Sequence, residues 1–294
     1  MSNPVISAVK ACFATVVLLT NIVIAFSMVM PLALIKLVLP FKPVRVVVDY
    51  VLSKIAEGWI GVNNFWIRTV NRGPWHVTGA DSFRYKGWYL VSSNHQSWVD
   101  ILVLQRVFNQ RIPLLKFFIK HELIYVPLMG LAWWALDFPF MRRKGGASMA
   151  KDLETARKAC EKFRLIPTSV ISFMEGTRFT QAKHDQQKSP FQYLLKPKVG
   201  GIAMALETMG DQFDCMIDVT IVYPRGVPTF GDLLKGRVLD VQVQVREVKI
   251  PKELTSTDEA SNPQYRATLQ AWINELWAQK DRDIATLRQR GIQG

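Results

Sequence analysis

The stretch Trp88-Tyr89-Leu90-Val91-Ser92-Ser93-Asn94-His95-Gln96-Ser97-Trp98-Val99-Asp100 holds the first decision about the fold. Trp88 to Ser92 is a short apolar run with strand character. His95 and Asp100, directly after it, are five residues apart. In an ideal helix that offset is about 500°, which leaves two side chains roughly 140° apart around the axis. They meet only if His95 lies in a turn and Asp100 in the first turn of a helix that follows. In that geometry the carboxylate accepts from one imidazole nitrogen and leaves the other as a general base. A packed histidine beside a helix-start aspartate is the alternative that the pair alone leaves open. His76, His121 and His184 have no comparable setting.

Outward from this stretch, from about Trp75, the texture is that of a soluble α/β domain. Met149, Leu153, Ala156, Cys160 and Phe163 recur at helical spacing over Ala147 to Phe163. Val170 to Met174 reads as a buried strand, Ile202 to Met209 as a helix after Gly200-Gly201, and Met216 to Tyr223 as another strand. Val241, Val243 and Val245 alternate with Gln242, Gln244 and Arg246, which predicts a half-buried strand with one wet face. Leu123 to Leu136, with Trp133 and Trp134, is too short to span a membrane and predicts a buried or interfacial helix, which could line a path for a lipid chain. Near the end, Asn262 can cap a helix, Pro263 suits its first turn, and Leu269, Trp272, Ile273, Leu276 and Trp277 form one stripe for core packing or membrane contact.

Toward the N-terminus, Ala11 to Ile35 carries no formal charge over 25 positions. As a helix it would reach roughly 37 Å, longer than a hydrocarbon core of about 30 Å. No small-residue cleavage site stands clearly after it, so the run predicts a retained anchor. Lys36, Lys42 and Arg45 outweigh Lys10 on the other flank, which places the C-terminal bulk in the cytoplasm. Pro40-Phe41-Lys42-Pro43 should break the helix, and Val44 to Val70 then resumes as a second helix lying in the interface. The chain thus divides into an anchor with its interfacial helix at 1–72, an α/β domain at 73–250, and a C-terminal amphipathic helix at 251–294.

Hydrophobic residues make up 49% of the 294-residue chain and charged ones 21%, which excludes a disordered polypeptide. Lys and Arg exceed Asp and Glu by 37 to 24, a net charge of +13 that favours anionic partners such as a membrane surface or phosphorylated substrates. Nucleic acid is disfavoured, because no recognition motif accompanies the charge. Cys12, Cys160 and Cys215 are too few and too dispersed for a disulfide framework or a thiolate zinc site, and read as small buried hydrophobes.

Two further signals stand beside the His95 pair. Phe173-Met174-Glu175-Gly176-Thr177-Arg178 ends an apolar strand, where ligands of α/β sheets gather. Its glycine allows close backbone approach, and Arg178 offers a planar fork for phosphate; a turn in which Glu175 and Arg178 simply pair is the alternative. The basic run Arg142-Arg143-Lys144 follows Phe138-Pro139-Phe140-Met141, and by itself reads as a solvated charge run.

Taken in order, these residues resemble the glycerophospholipid acyltransferase family, of 1-acylglycerol-3-phosphate acyltransferase type, and within it most closely a bacterial YihG-type branch. Asn94 to Asp100 matches the family's His-x4-Asp block, and Phe138 to Arg142 resembles its second block, with the arginine at Arg142. Glu175-Gly176-Thr177-Arg178 is identical to the usual third block, and Val219 to Pro224 resembles the fourth. Lys198 and Gly200 match a further recurring stretch. Pro139, Met141 and Thr220 depart from the usual pattern.

The resemblance implies a central, mostly parallel or mixed sheet flanked by helices, preceded by a membrane-anchoring helix or helical hairpin. It implies transfer of a fatty acyl group from acyl-CoA or acyl carrier protein to the free sn-2 hydroxyl of lysophosphatidic acid, at a bacterial inner membrane and on its cytoplasmic side. His95 would be the base and Asp100 its orienting partner. Arg142, Arg178 and Lys198 would grip the acceptor phosphate, with Glu175, Gly176 and Thr177 orienting the glycerol or shaping the Arg178 loop. No metal and no cofactor beyond the acyl co-substrate is implied; the partners are membrane lipids, the lysophospholipid acceptor and the acyl donor. Another lysolipid head group, an acyl hydrolase and a non-catalytic binder of anionic membranes are the competing readings.

Overall fold

A computed structural model describes residues 3–142, 147–255 and 262–293. The N-terminal helix α1 (Pro4–Val38) opens on Asn3, whose side chain accepts from the Val5 N–H at 2.9 Å, with proline at the first helical position. It stops before Pro40, and α2 (Lys42–Val70) returns along it. Inside the hairpin the buried Asn21 side-chain amide donates to the Trp59 carbonyl at 2.9 Å and to Asn63 Oδ1 at 3.2 Å. Among the described residues α1 is the one helix long and apolar enough to cross a membrane. Much of its surface is exposed Val, Ile, Leu and Phe, and Cys12 lies exposed there rather than buried as expected.

The second helix departs from the interfacial expectation. Its C-terminal half is domain core: Trp66 and Ile67 are fully buried, and Val70 nearly so, against the sheet and the helix after His95. Each side of the hairpin is also tied to the domain by charge. Lys36 pairs with Asp49 at 2.6 Å and with Asp137, and Arg45 and Lys162 reach Asp137 at 2.9 and 2.8 Å. Burial would raise the Asp137 carboxyl, but Lys36 and Lys162 overcome it and hold it at about 2.

The domain follows as β1 (Trp75–Thr78), β2 (Tyr89–Ser93), α3 (Val99–Phe108), β3 (Leu115–Phe117) and β4 (Ile119–Lys120). The stretch expected as one helix over Leu123 to Leu136 is divided into a 3-10 turn (His121–Tyr125) and α4 (Met129–Ala135). Pro127 and the left-handed Leu128 (φ 63°) separate them, and a Cβ on Gly130 would stand 1.9 Å from the Ile124 carbonyl oxygen. Then come β5 (Phe140–Met141), α5 (Ala147–Phe163), β6 (Ser169–Phe173), α6 (Gln181–Gln187), α7 (Gly200–Met209) and β7 (Cys215–Val222). The last elements are α8 (Phe230–Leu234), β8 (Val241–Val248) and α9 (Pro263–Gln293), whose Asn262 cap accepts from the Gln264 N–H at 2.9 Å.

Six strands form one sheet in the order β1-β8-β7-β2-β6-β3, parallel except for the β7–β8 pair, and β4 pairs with β5 apart from it. Every residue of β2 and β7 is buried, as a sheet covered on both faces requires. One face packs Val91, Ile171, Ile217 and Ile221 against α2 and α3; the other packs Leu90, Val170 and Met216 against α5, α7 and α9. The register places Ser93, at the end of β2, beside Phe173, at the end of β6. The carboxyl ends of β2, β6 and β7 therefore share one edge, and the site lies there.

The face of β8 expected to be wet is covered by α9. Gln244 donates to Asp283 at 3.2 Å, and Arg246 pairs with Asp218 at 2.6 Å and Asp283 at 3.3 Å. Lys280, fully buried on α9, meets Asp218 at 2.7 Å, and burial pushes its ammonium group's pKa down. The α9 stripe is core packing: Leu269, Ile273 and Trp277 are fully buried.

Candidate active site

The loop after β2 is held from several sides. Asn94 sits between strands like an added rung, its amide donating to the Ile221 carbonyl at 2.9 Å and its oxygen accepting from the Ile221 N–H at 2.8 Å. The backbone of His95 is clamped by the segment after β6: its N–H donates to Glu175 Oε1 at 2.7 Å, and Phe179 N–H donates to its carbonyl at 2.7 Å. Asp100 lies in the first turn of α3, fully buried. Its Oδ2 accepts from the Gln96 and Ser97 N–H groups at 2.6 and 2.8 Å and meets His95 Nδ1 at 2.9 Å. The imidazole is stacked on Phe173, centroids 4.0 Å apart. With Asp100 accepting at Nδ1, that nitrogen carries the ring hydrogen of neutral His95 and Nε2 keeps its lone pair.

Glu175 is fully buried, and its second oxygen accepts from the Leu195 N–H at 3.0 Å. Burial raises its carboxyl to about 7, against the pull of the two backbone donors. Its two oxygens thus tie the backbone at His95 to the backbone at Leu195. Gly176 takes a left-handed φ of 66°, and a Cβ there would stand 3.1 Å from the Lys198 side chain, which is how the exposed Lys198 joins the loop. Thr177 Oγ1 accepts from Lys183 Nζ at 2.8 Å, and the same ammonium donates to the Arg178 carbonyl at 3.0 Å. The exposed Arg178 guanidinium stands over the Trp98 ring at 5.2 Å.

His95, Gly176, Thr177 and Arg178 line one cavity of about 540 Å³. Its wall is otherwise largely apolar, and Trp59, Gln105, Met129, Trp133 and Phe138 also border a separate, mostly apolar hollow of about 70 Å³ among α1, α2, α3 and α4. Arg142 departs from the expected set. It follows β5, and it lines a different hollow of about 350 Å³ with His121, Trp134, Lys158 and Lys162; Phe138 borders both spaces. Lys120, paired in register with Met141, reaches the His95 cavity instead. Arg143 and Lys144 lie outside the described residues, as do the side chains of Met149, Leu153 and Ala156.

Sequence reasoning missed Lys183 and the part played by Tyr223. Lys183 follows Thr177 by six positions across a capped helix start, a spacing readable only once α6 is placed. Tyr223 passes in the sequence as one more apolar residue of a strand end. In the structure its hydroxyl donates to Asp100 Oδ1 at 2.6 Å.

A family model described as acyltransferase matches residues 75–224, just over half of the chain. The chain belongs to the acyltransferase family. Curated relatives include 1-acyl-sn-glycerol-3-phosphate acyltransferase gamma of Mus musculus, 28% identical over 185 residues, covering 59% of this chain and 46% of the relative. Another is 1-acyl-sn-glycerol-3-phosphate acyltransferase 3 of Arabidopsis thaliana, 28% identical over 211 residues, covering 66% of this chain and 52% of the relative. The chain thus spans about half the length of the curated relatives it matches. Among solved structures, the 1-acyl-sn-glycerophosphate acyltransferase PlsC of Thermotoga maritima superposes with a TM-score of 0.50 at 18% identity, covering 92% of this chain and 98% of that one. That likeness supports the fold: a mixed sheet flanked by helices behind a long apolar N-terminal helix.

Proposed function

We propose that this protein is a membrane-bound acyltransferase that moves a fatty acyl group from a thioester donor, acyl-CoA or acyl carrier protein, to the sn-2 hydroxyl of lysophosphatidic acid. The observation that carries the reading is one cavity in which an Asp-held imidazole, an exposed arginine and a long apolar wall meet. His95 Nε2 takes the hydroxyl proton as the acceptor oxygen forms its bond to the thioester carbonyl carbon. The carbon–sulfur bond then breaks, and the proton on the imidazolium goes to the departing thiolate. A thiol of pKa about 8.5 is a good enough leaving group to need little further help. Asp100 holds the tautomer and the charge of the imidazolium. Arg178 takes the acceptor phosphate, with Lys198 and Lys183 adding positive charge around the Gly176 turn. Glu175 fixes the His95 and Leu195 backbones, and Arg142 stands outside this phosphate site. The apolar wall of the His95 cavity, with Trp59, Leu123, Met129, Trp133 and Phe138, receives acyl chain.

In this reading α1 anchors the chain in a bacterial inner membrane. The Lys36, Lys42 and Arg45 excess on its C-terminal flank keeps the domain on the cytoplasmic side. Placement in a YihG-type branch rests on the resemblance of the motifs.

The test is a transfer assay on detergent-solubilised wild type and His95→Ala, with labelled oleoyl-CoA and lysophosphatidic acid. Label in phosphatidic acid from wild type alone is the expected result. Label only in free fatty acid would make the protein a hydrolase, and transfer only to other lysolipids would move the acceptor. Equal turnover by His95→Ala would overturn the assignment of the base.

A further inference from the structure

Asp100 has two oxygens, and the sequence motif accounts for one of them. Oδ2 takes the His95 ring nitrogen and two N–H groups, all from within five residues of chain. Oδ1 takes the hydroxyl of Tyr223, which arrives from the far end of β7, 123 positions away, at 2.6 Å. The phenol is 3% exposed and the carboxylate fully buried. Burial and the neighbouring Asp100 charge keep the phenol protonated, so it serves as a donor. Its position is fixed from behind, because Asn94 binds both backbone groups of Ile221, two residues before it, and Gln96 donates to the same carbonyl at 3.1 Å.

A carboxylate held through one oxygen keeps freedom about its last torsion, which is broad and roughly two-fold. Bonding both oxygens removes that freedom. A short O–H···O⁻ bond is also about twice as strong as a neutral one, and it offsets part of the cost of burying the charge.

We propose that Tyr223 is a positioning residue of the His95–Asp100 pair, its hydroxyl fixing the Asp100 carboxylate so that Oδ2 stays aligned on His95 Nδ1 as the imidazole takes up a proton. The inference rests on His95 being the base of the proposed acyl transfer. Tyr223 touches Asp100 and acts through it, not on the acceptor or donor, so its removal should be felt in turnover and not in substrate binding.

The experiment compares full-length, detergent-solubilised Tyr223→Phe with wild type in the transfer assay, with Asp100→Ala and the double variant completing a cycle. Tyr223→Phe keeps the ring and removes only the donor. Its kcat should fall about 30-fold, or about 2 kcal/mol at 1.36 kcal/mol per tenfold, with both KM values within about twofold of wild type. In the Asp100→Ala background the same substitution should cost nothing further, because the bond is already gone. A wild-type kcat, a loss confined to KM, or equal losses in both backgrounds would each overturn the inference. The last outcome is also what simple damage to folding would give, and thermal midpoints of the four proteins read that directly. If His95→Ala is inactive while Tyr223→Phe turns over normally, this inference alone fails; if His95→Ala is active, the reading beneath it fails.

Discussion

On one side of the cavity His95, Asp100 and Glu175 have their polar atoms committed: His95 by its N–H, carbonyl and Nδ1, Asp100 and Glu175 by both carboxylate oxygens. On the other side Arg178 stands exposed over an aromatic ring, and Lys198 is exposed beside Gly176. Under the proposed transfer the two sides answer different demands. A general base must be aligned before the substrate arrives, since a proton transfer tolerates little error in distance. A cation that binds phosphate is better left in water until the ligand replaces its hydration, because a buried unpaired charge would be costly.

The contrast is broken most directly at its rigid end. His95→Ala should lower kcat by about 10²- to 10⁴-fold, the usual share of a general base, while α1 still carries the protein into membranes. The transfer assay and a membrane-flotation assay read the two halves of that statement separately. At the exposed end, Arg178→Ala should raise KM for the phosphorylated acceptor about ten- to hundredfold, as loss of charged hydrogen bonds does, and leave the donor KM alone. If Arg178→Ala leaves acceptor dependence untouched, the phosphate lies elsewhere.

Glu175 sharpens the comparison through pH. Its folded carboxyl, at about 7, lies above the ordinary 4.5, so between these values the folded protein holds a proton that the unfolded chain releases. The stability this contributes is full below the ordinary value and is lost as pH rises through about 7. Wild type should therefore lose stability relative to Glu175→Gln across that window, by about 3 kcal/mol at most. Denaturation midpoints of both proteins from pH 4.5 to pH 7.5 measure the difference, and parallel curves would contradict it. The smallest effect is expected at Arg142, an exposed side chain lining a separate hollow. Arg142→Ala should change the acceptor KM by less than about fivefold, as surface charge contacts do. A change as large as that of Arg178→Ala would put Arg142 back among the phosphate ligands.

What was legible in the sequence was local. His95 and Asp100 lie close enough in the chain for a turn running into a helix start to bring them together, the long N-terminal helix and four of the eight strands among the described residues follow from apolar spacing, and the helix break follows from Pro40 and Pro43. The rest depends on chain segments far apart. Glu175 looks outward in a motif beside Arg178, yet its partner is the His95 peptide 80 positions away. Gln244 and Arg246 alternate as a wet face does, until α9 lays Asp283 across them. Arg142 sits correctly in its motif, but the pairing of β5 with β4 carries it into another hollow.

Helix α9 reaches the site from behind: Trp277 donates to the Leu195 carbonyl at 2.9 Å, and Asp281 accepts from the Gln192 and Tyr193 N–H groups. Trp277 lies 82 positions after Leu195. At a synthesis rate of about 5–20 residues per second, the ribosome makes it roughly 4–16 s later. During that interval the segment that seats Glu175 has no backing, and the buried Asp218 has no Lys280. The apolar α1 is translated well before the prop for the loop that carries Glu175, so under the proposed function a newborn chain reaches a lipid surface before its site is complete.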